Sequence, residues 1–144
     1  MKTRRILIVE DVTMIADFMA LILNRHGYQV AGIVARGDDA YEAVRATNPD
    51  LVLMDIKLEG LTDGIEAAAK IRNNFSIPVV FVSAHTEPAV IARAMTTGAN
   101  GYIIKPFKGN DLLLALERAL DADEAALKSG DPFTLNLPHP PTRA

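Results

Sequence analysis

Apolar positions along this chain follow two patterns in turn. The first is a short unbroken run: Ile6-Leu7-Ile8-Val9, then Leu51-Val52-Leu53-Met54, then Val79-Val80-Phe81-Val82. Runs this short with no polar member predict strands covered on both faces, since a half-exposed strand would alternate. The second pattern is helical. Ile15, Phe18, Met19 and Ile22 share one helix face, as do Ala40, Ala43, Val44 and Thr47. The same spacing returns in Ile65, Ala68, Ala69 and Arg72, in Val90, Ile91, Ala94 and Met95, and in Leu112, Leu113, Leu116 and Leu120.

Breakers set the boundaries. Asp11 is placed to cap the first helix and Gly27 to end it. Asp38 and Asp39 open the second, and Asn48-Pro49 stops it. Asp63-Gly64 opens the third. Pro88 suits the first position of the fourth, which Gly98 closes. Asn110 or Asp111 caps the fifth, expected to run on weakly to about Lys128. Residues 28–34 and 101–105 are less apolar strands, the latter broken by Pro106. The strand before Ser83 is expected to begin at Ile77, with Pro78 tolerable near its start.

Strand and helix alternating in this way predict an α/β fold, a parallel sheet with helices on both faces. By analogy with known sheets of this kind, the expected architecture is flavodoxin-like: a doubly wound five-stranded parallel sheet in the order 2-1-3-4-5, flanked by five helices. Residues 1–121 would form this domain. Residues 122–144 would form a helix extension and a disordered tail, crowded by Pro132, Pro138, Pro140 and Pro141.

Composition narrows the function classes. The chain has no cysteine, which excludes disulfides and thiolate metal sites. Its net charge is −3 with no basic stripe, which gives no footprint for nucleic acid. The apolar run that follows the basic start stops at Glu10-Asp11, too short for a signal-peptide core or a membrane span. A cytoplasmic location without a membrane partner is therefore expected.

The chemistry lies where strands end. In a parallel sheet, Glu10-Asp11, Asp55, Ser83 and Lys105 would all reach one edge, the edge at which open α/β sheets bind ligands. Three carboxylates together repel, and a cation must relieve them. No histidine or cysteine accompanies them, so the expected cation is hard and oxygen-loving. Two or three carboxylates completed by water and a phosphoryl oxygen suit Mg²⁺. Asp55 at the centre could then attack phosphorus as a nucleophile, with Lys105 and Ser83 meeting the phosphoryl oxygens.

These residues resemble the receiver domain of two-component response regulators. The resemblance rests on Glu10-Asp11 after the first apolar run, Asp55 after the third strand's run, Asp63-Gly64, Ser83-Ala84 and Lys105-Pro106-Phe107, in order and spacing over residues 4–120. It implies that Asp55 is the phosphoacceptor, loaded from a phosphohistidine on a sensor histidine kinase or a histidine phosphotransfer protein. It implies that Glu10, Asp11, Asp55 and the backbone carbonyl of Lys57 hold Mg²⁺, and that Lys105-Pro106 is a cis bond. Ser83 and Tyr102 would be the switch residues. The face of the fourth helix, fifth strand and fifth helix would meet a downstream protein, or a second copy in a phosphorylation-dependent dimer. Lys57 and His85 stand where receivers tune the lifetime of the aspartyl phosphate. The loop after Asp55 departs from the family: Glu59 replaces a frequent proline, and one more residue precedes Asp63-Gly64.

The leading expectation is a stand-alone receiver acting in a phosphorelay, not an enzyme. A phosphate sink and a phosphorylation-independent scaffold share the fold. A Mg²⁺-dependent phosphatase with an aspartyl nucleophile is disfavoured, because such enzymes place a second acid where Lys57 stands.

Overall fold

The computed structural model of this protein describes residues 2–129. Strands β1 (Arg5–Val9), β2 (Gln29–Val34), β3 (Leu51–Met54), β4 (Val79–Ser83) and β5 (Gly101–Ile104) form one parallel sheet in the order β2-β1-β3-β4-β5. Helices α1 (Thr13–Arg25), α2 (Gly37–Thr47), α3 (Gly64–Asn74), α4 (Pro88–Met95) and α5 (Gly109–Ser129) alternate with them. The expected order 2-1-3-4-5 is the observed one.

The sheet separates two cores, and this explains the unbroken apolar runs. Successive strand residues point to opposite faces. Leu7, Val9, Val52, Met54, Val79 and Phe81 pack with Ala40, Val44, Ile65, Ala68, Ile71 and Ala94 of α2, α3 and α4. Ile6, Ile8, Leu51, Leu53, Val80 and Val82 pack with Met19, Leu23, Leu112 and Leu116 of α1 and α5. β3 is central and wholly buried, whereas β2, at an edge, keeps Gln29 and Ile33 exposed.

Some boundaries differ from the sequence reading. Asp11 does not cap α1. The cap position is Val12, without a side-chain cap bond, and the Glu10 carboxylate accepts from the Val12 N–H at 3.1 Å. Phe18 lies at the rim of α1 rather than in its buried stripe: Ala16, Met19, Ile22 and Leu23 face inward, and Phe18 stacks on Phe107 with ring centroids 5.8 Å apart. In α3, Ala67 is buried and Ala69 is only partly so. Strand β4 begins at Val79, and Lys105 falls just beyond β5. Asp111 sits in the first turn of α5, where its carboxylate accepts from the Lys108 N–H at 2.9 Å. α5 runs to Ser129, in agreement with the extension expected to about Lys128. The Pro-rich segment 130–144, expected to be a disordered tail, lies outside the described residues.

Candidate functional site

Every strand-end residue singled out above reaches the same edge of the sheet. The register pairs Val9 with Met54, so Glu10 and Asp55 follow side by side. Backbone bonds carry the ladder one residue further: Asp55 N–H to the Val9 carbonyl at 2.9 Å, and Lys105 N–H to the Ser83 carbonyl at 2.9 Å. Ser83 ends β4, and Glu10, Asp55 and Lys105 each follow directly on a strand, so the sheet places them.

Lys105 organises the acids. Its Nζ donates to Glu10 Oε1 at 2.8 Å and to Asp55 Oδ2 at 3.1 Å. The other Asp55 oxygen, Oδ1, accepts from the Ile56 N–H at 2.8 Å. Glu10 is 2% exposed and Asp55 6%, so both charges sit largely out of water and lean on this one ammonium. Burial pushes the Glu10 carboxyl above its usual range and the charge of Asp55 adds to this, against the hydrogen bond from Lys105. For Lys105, burial works against the ammonium. The hydrogen bond to Glu10 and the charges of Asp55 and Glu10 outweigh it, and they hold its pKa above the ordinary lysine value.

Glu10, Asp11 and Asp55 each offer a carboxylate oxygen, all within 4.8 Å of one another. Lys105 bonds two of these three acids. The excess negative charge, with oxygen donors only, fits a hard metal ion. Of the three, Asp11 is partly exposed, whereas Glu10 and Asp55 are buried.

The remaining predicted residues lie beside this cluster. Ser83 is buried, and its hydroxyl accepts from the His85 N–H at 3.1 Å. The Tyr102 hydroxyl donates to the carbonyl of the same residue, His85, at 2.9 Å, and its ring lies 6.2 Å from that of Phe81. Burial raises the phenol's pKa. The Lys105–Pro106 bond is cis. The His85 ring turns to Glu87, Nδ1 to Oε1 at 3.2 Å, and the Lys57 side chain is exposed on the loop after β3.

Residues 6–117 match the family of response regulator receiver domains. The chain belongs to this family. Among the receiver's relatives, the transcriptional regulatory protein PdtaR of Mycobacterium tuberculosis is 38% identical over 117 residues, 81% of this chain and 57% of PdtaR. The DNA-binding response regulator MtrA of Mycolicibacterium smegmatis is 32% identical over 121 residues, 84% of this chain and 52% of MtrA. The receiver thus spans little more than half the length of these curated relatives. A solved CheY-like response regulator receiver domain from Methanospirillum hungatei superposes with a TM-score of 0.79 at 30% identity, covering 86% of this chain and 98% of that one.

Two features escaped the sequence reading. An apolar cleft of about 520 Å³ opens beside the site, lined by Met14, Ile15, Phe18, Ala84, Pro106 and Phe107 with the stem of Lys105. The loop after Asp55 is also tied to α2 through Asp38, which the sequence marked only as a helix opener. An acid in a helix's first turn carries no signal of a partner some two dozen residues away.

Proposed function

We infer that Asp55 accepts a phosphoryl group in this receiver, in a cytoplasmic two-component phosphorelay. The observation that supports this most is the Asp55 carboxylate itself: nearly buried, held by Lys105 Nζ and the Ile56 N–H, with two further acids at hand. In the proposed reaction an Asp55 oxygen attacks the phosphorus of a phosphohistidine on a sensor kinase or phosphotransfer protein. The P–N bond breaks, its electron pair stays on the imidazole nitrogen, and an acyl phosphate forms on Asp55. Lys105 would hold one phosphoryl oxygen by its ammonium, and Ser83 would donate its hydroxyl to another.

Mg²⁺ suits the all-oxygen donor set, with Glu10, Asp11, Asp55 and the Lys57 carbonyl as its protein ligands. When bound, it would offset the repulsion between the carboxylate and the incoming phosphoryl group.

The signal would leave through His85. One residue's backbone holds both switch candidates: its N–H binds Ser83 and its carbonyl binds Tyr102. Drawing the Ser83 hydroxyl to a phosphoryl oxygen would break the first bond and loosen the second. The face of α4, β5 and α5 would then shift its population toward a state that a downstream protein, or a second copy, recognises. The domain proposed to carry this is residues 1–121.

The test is transfer from a radiolabelled histidine phosphotransfer domain, comparing the wild type with Asp55→Ala. The reading expects label in the wild type and none in the variant. Equal label in both would overturn it.

A further inference from the structure

The loop after Asp55 is longer than is usual in receivers, yet it is pinned. Its base is closed by the Gly64 N–H on the Ile56 carbonyl at 2.7 Å. Its far side lies on the start of α2. Asp38 Oδ1 accepts from the Thr62 N–H at 3.0 Å, and Oδ2 reaches the Leu61 N–H at 3.4 Å. Arg36 steadies the acceptor with a 2.8 Å bond to Asp38 Oδ2, and its backbone forms a parallel bridge with Glu59.

Two glycines let the segments meet. A Cβ on Gly60, whose φ is +96°, would stand 2.7 Å from Asp38 Oδ2 and 3.1 Å from the Arg36 guanidinium. A Cβ on Gly37 would stand 2.2 Å from the Thr62 carbonyl oxygen. The loop is therefore shaped to lie on α2. Hydrogen bonding from Thr62 also holds the Asp38 carboxyl below its usual range.

Lys57 lies within the pinned segment, two residues past Asp55. Its peptide belongs to no helix or strand, so the direction of its carbonyl depends on where Leu58 to Thr62 run. Leu58 packs against the core, Glu59 pairs with Arg36, and the next two N–H groups along from Gly60 end on Asp38.

We propose that Asp38, supported by Arg36, is a positioning residue for the metal site: it clamps the loop so that the Lys57 carbonyl stays aimed at the ion held by Glu10, Asp11 and Asp55. This rests on the metal reading above. Asp38 touches neither the ion nor the phosphoryl group. Its effect passes through the loop backbone, as outer partners commonly act on metal ligands.

The experiment is titration with Mg²⁺ alone, followed by amide chemical shifts, on wild type, Asp38→Ala, Asp38→Asn and Asp11→Ala. The Asp38 side chain lies outside the two cores, and the amide spectrum of each variant without Mg²⁺ checks that it folds. Asp38→Ala is expected to weaken Mg²⁺ binding by about tenfold, the lower end of what lost outer partners cost. Asp38→Asn keeps one acceptor oxygen for the Thr62 N–H but sets an amide N–H against the Leu61 N–H and Arg36, and is expected to fall between Asp38→Ala and the wild type. Unchanged affinity in Asp38→Ala would overturn the clamp. Asp11→Ala separates the two claims: wild-type affinity there contradicts the metal site itself, whereas lost binding there with unchanged Asp38→Ala contradicts only the clamp.

Discussion

Lys105 is the residue on which the unloaded site depends. Among the described residues it supplies the one ammonium bonded to both Glu10 and Asp55, and its side chain is only 15% exposed. Removing one member of a buried charge group costs more than the group contributes, because the rest is left unpaired. Lys105→Met is therefore expected to lower unfolding stability by about 2–3 kcal/mol, somewhat under the cost for a wholly dry pair. Millimolar Mg²⁺ should restore part of this, since a second cation then faces the acids. Urea unfolding with and without Mg²⁺ checks both points, and a loss indifferent to Mg²⁺ would mean the metal meets other groups. Tyr102 offers a smaller test. Tyr102→Phe removes the bond to the His85 carbonyl and should cost about 1 kcal/mol.

Among the elements, α3 begins close against the residue that follows β3. Gly64 opens α3 against the strand's end, and a Cβ there would lie 1.8 Å from the Asp55 carbonyl oxygen. Gly64→Ala should cost about 3 kcal/mol or more, because backbone rather than a pliant side chain must move. Next to it, Asp63 forms a capping box with Glu66 and accepts from Arg93 of α4 at 3.3 Å. Asp63→Ala should cost about 1–2 kcal/mol by loss of the cap. At the other end of the molecule, burial raises the Asp123 carboxyl above its ordinary value, with Arg72 and Arg4 opposing and Asp50 adding. The folded chain then binds a proton there more readily than the unfolded one. Between the ordinary carboxylate pKa of ~4 and the raised folded value, stability falls as pH rises. Asp123→Asn should flatten that stretch of the stability curve in urea unfolding.

The elements also show what a sequence can carry. Strands β1, β3 and β4 were legible because burial on both faces leaves no polar residue to blur the run. Asp55, Glu10, Ser83 and Lys105 were legible because a parallel sheet sends its strand ends to one edge, so position along the chain becomes position in space. The cap of α1 was misread because two acids stood at its start and the choice between them is tertiary: Lys105 draws the Glu10 side chain into the site, where it also meets the Val12 N–H. Phe18 was misplaced because its partner, Phe107, lies far along the chain. The clamp on the loop after Asp55 was invisible for the same reason.

For the molecule as a whole, a ligand that binds only the folded state stabilises it by mass action. Mg²⁺ at about a hundred times its dissociation constant should add about 2.7 kcal/mol, lost on chelation and absent in Asp11→Ala. The central claim, however, concerns Asp55. Its most direct test is the intact mass of the protein after incubation with a small acyl phosphate and Mg²⁺, for the wild type and Asp55→Ala. The account predicts one added phosphoryl group in the wild type, lost when the metal is chelated, and none in the variant. A phosphoryl group that persists in Asp55→Ala, or a wild type that gains none, would contradict it.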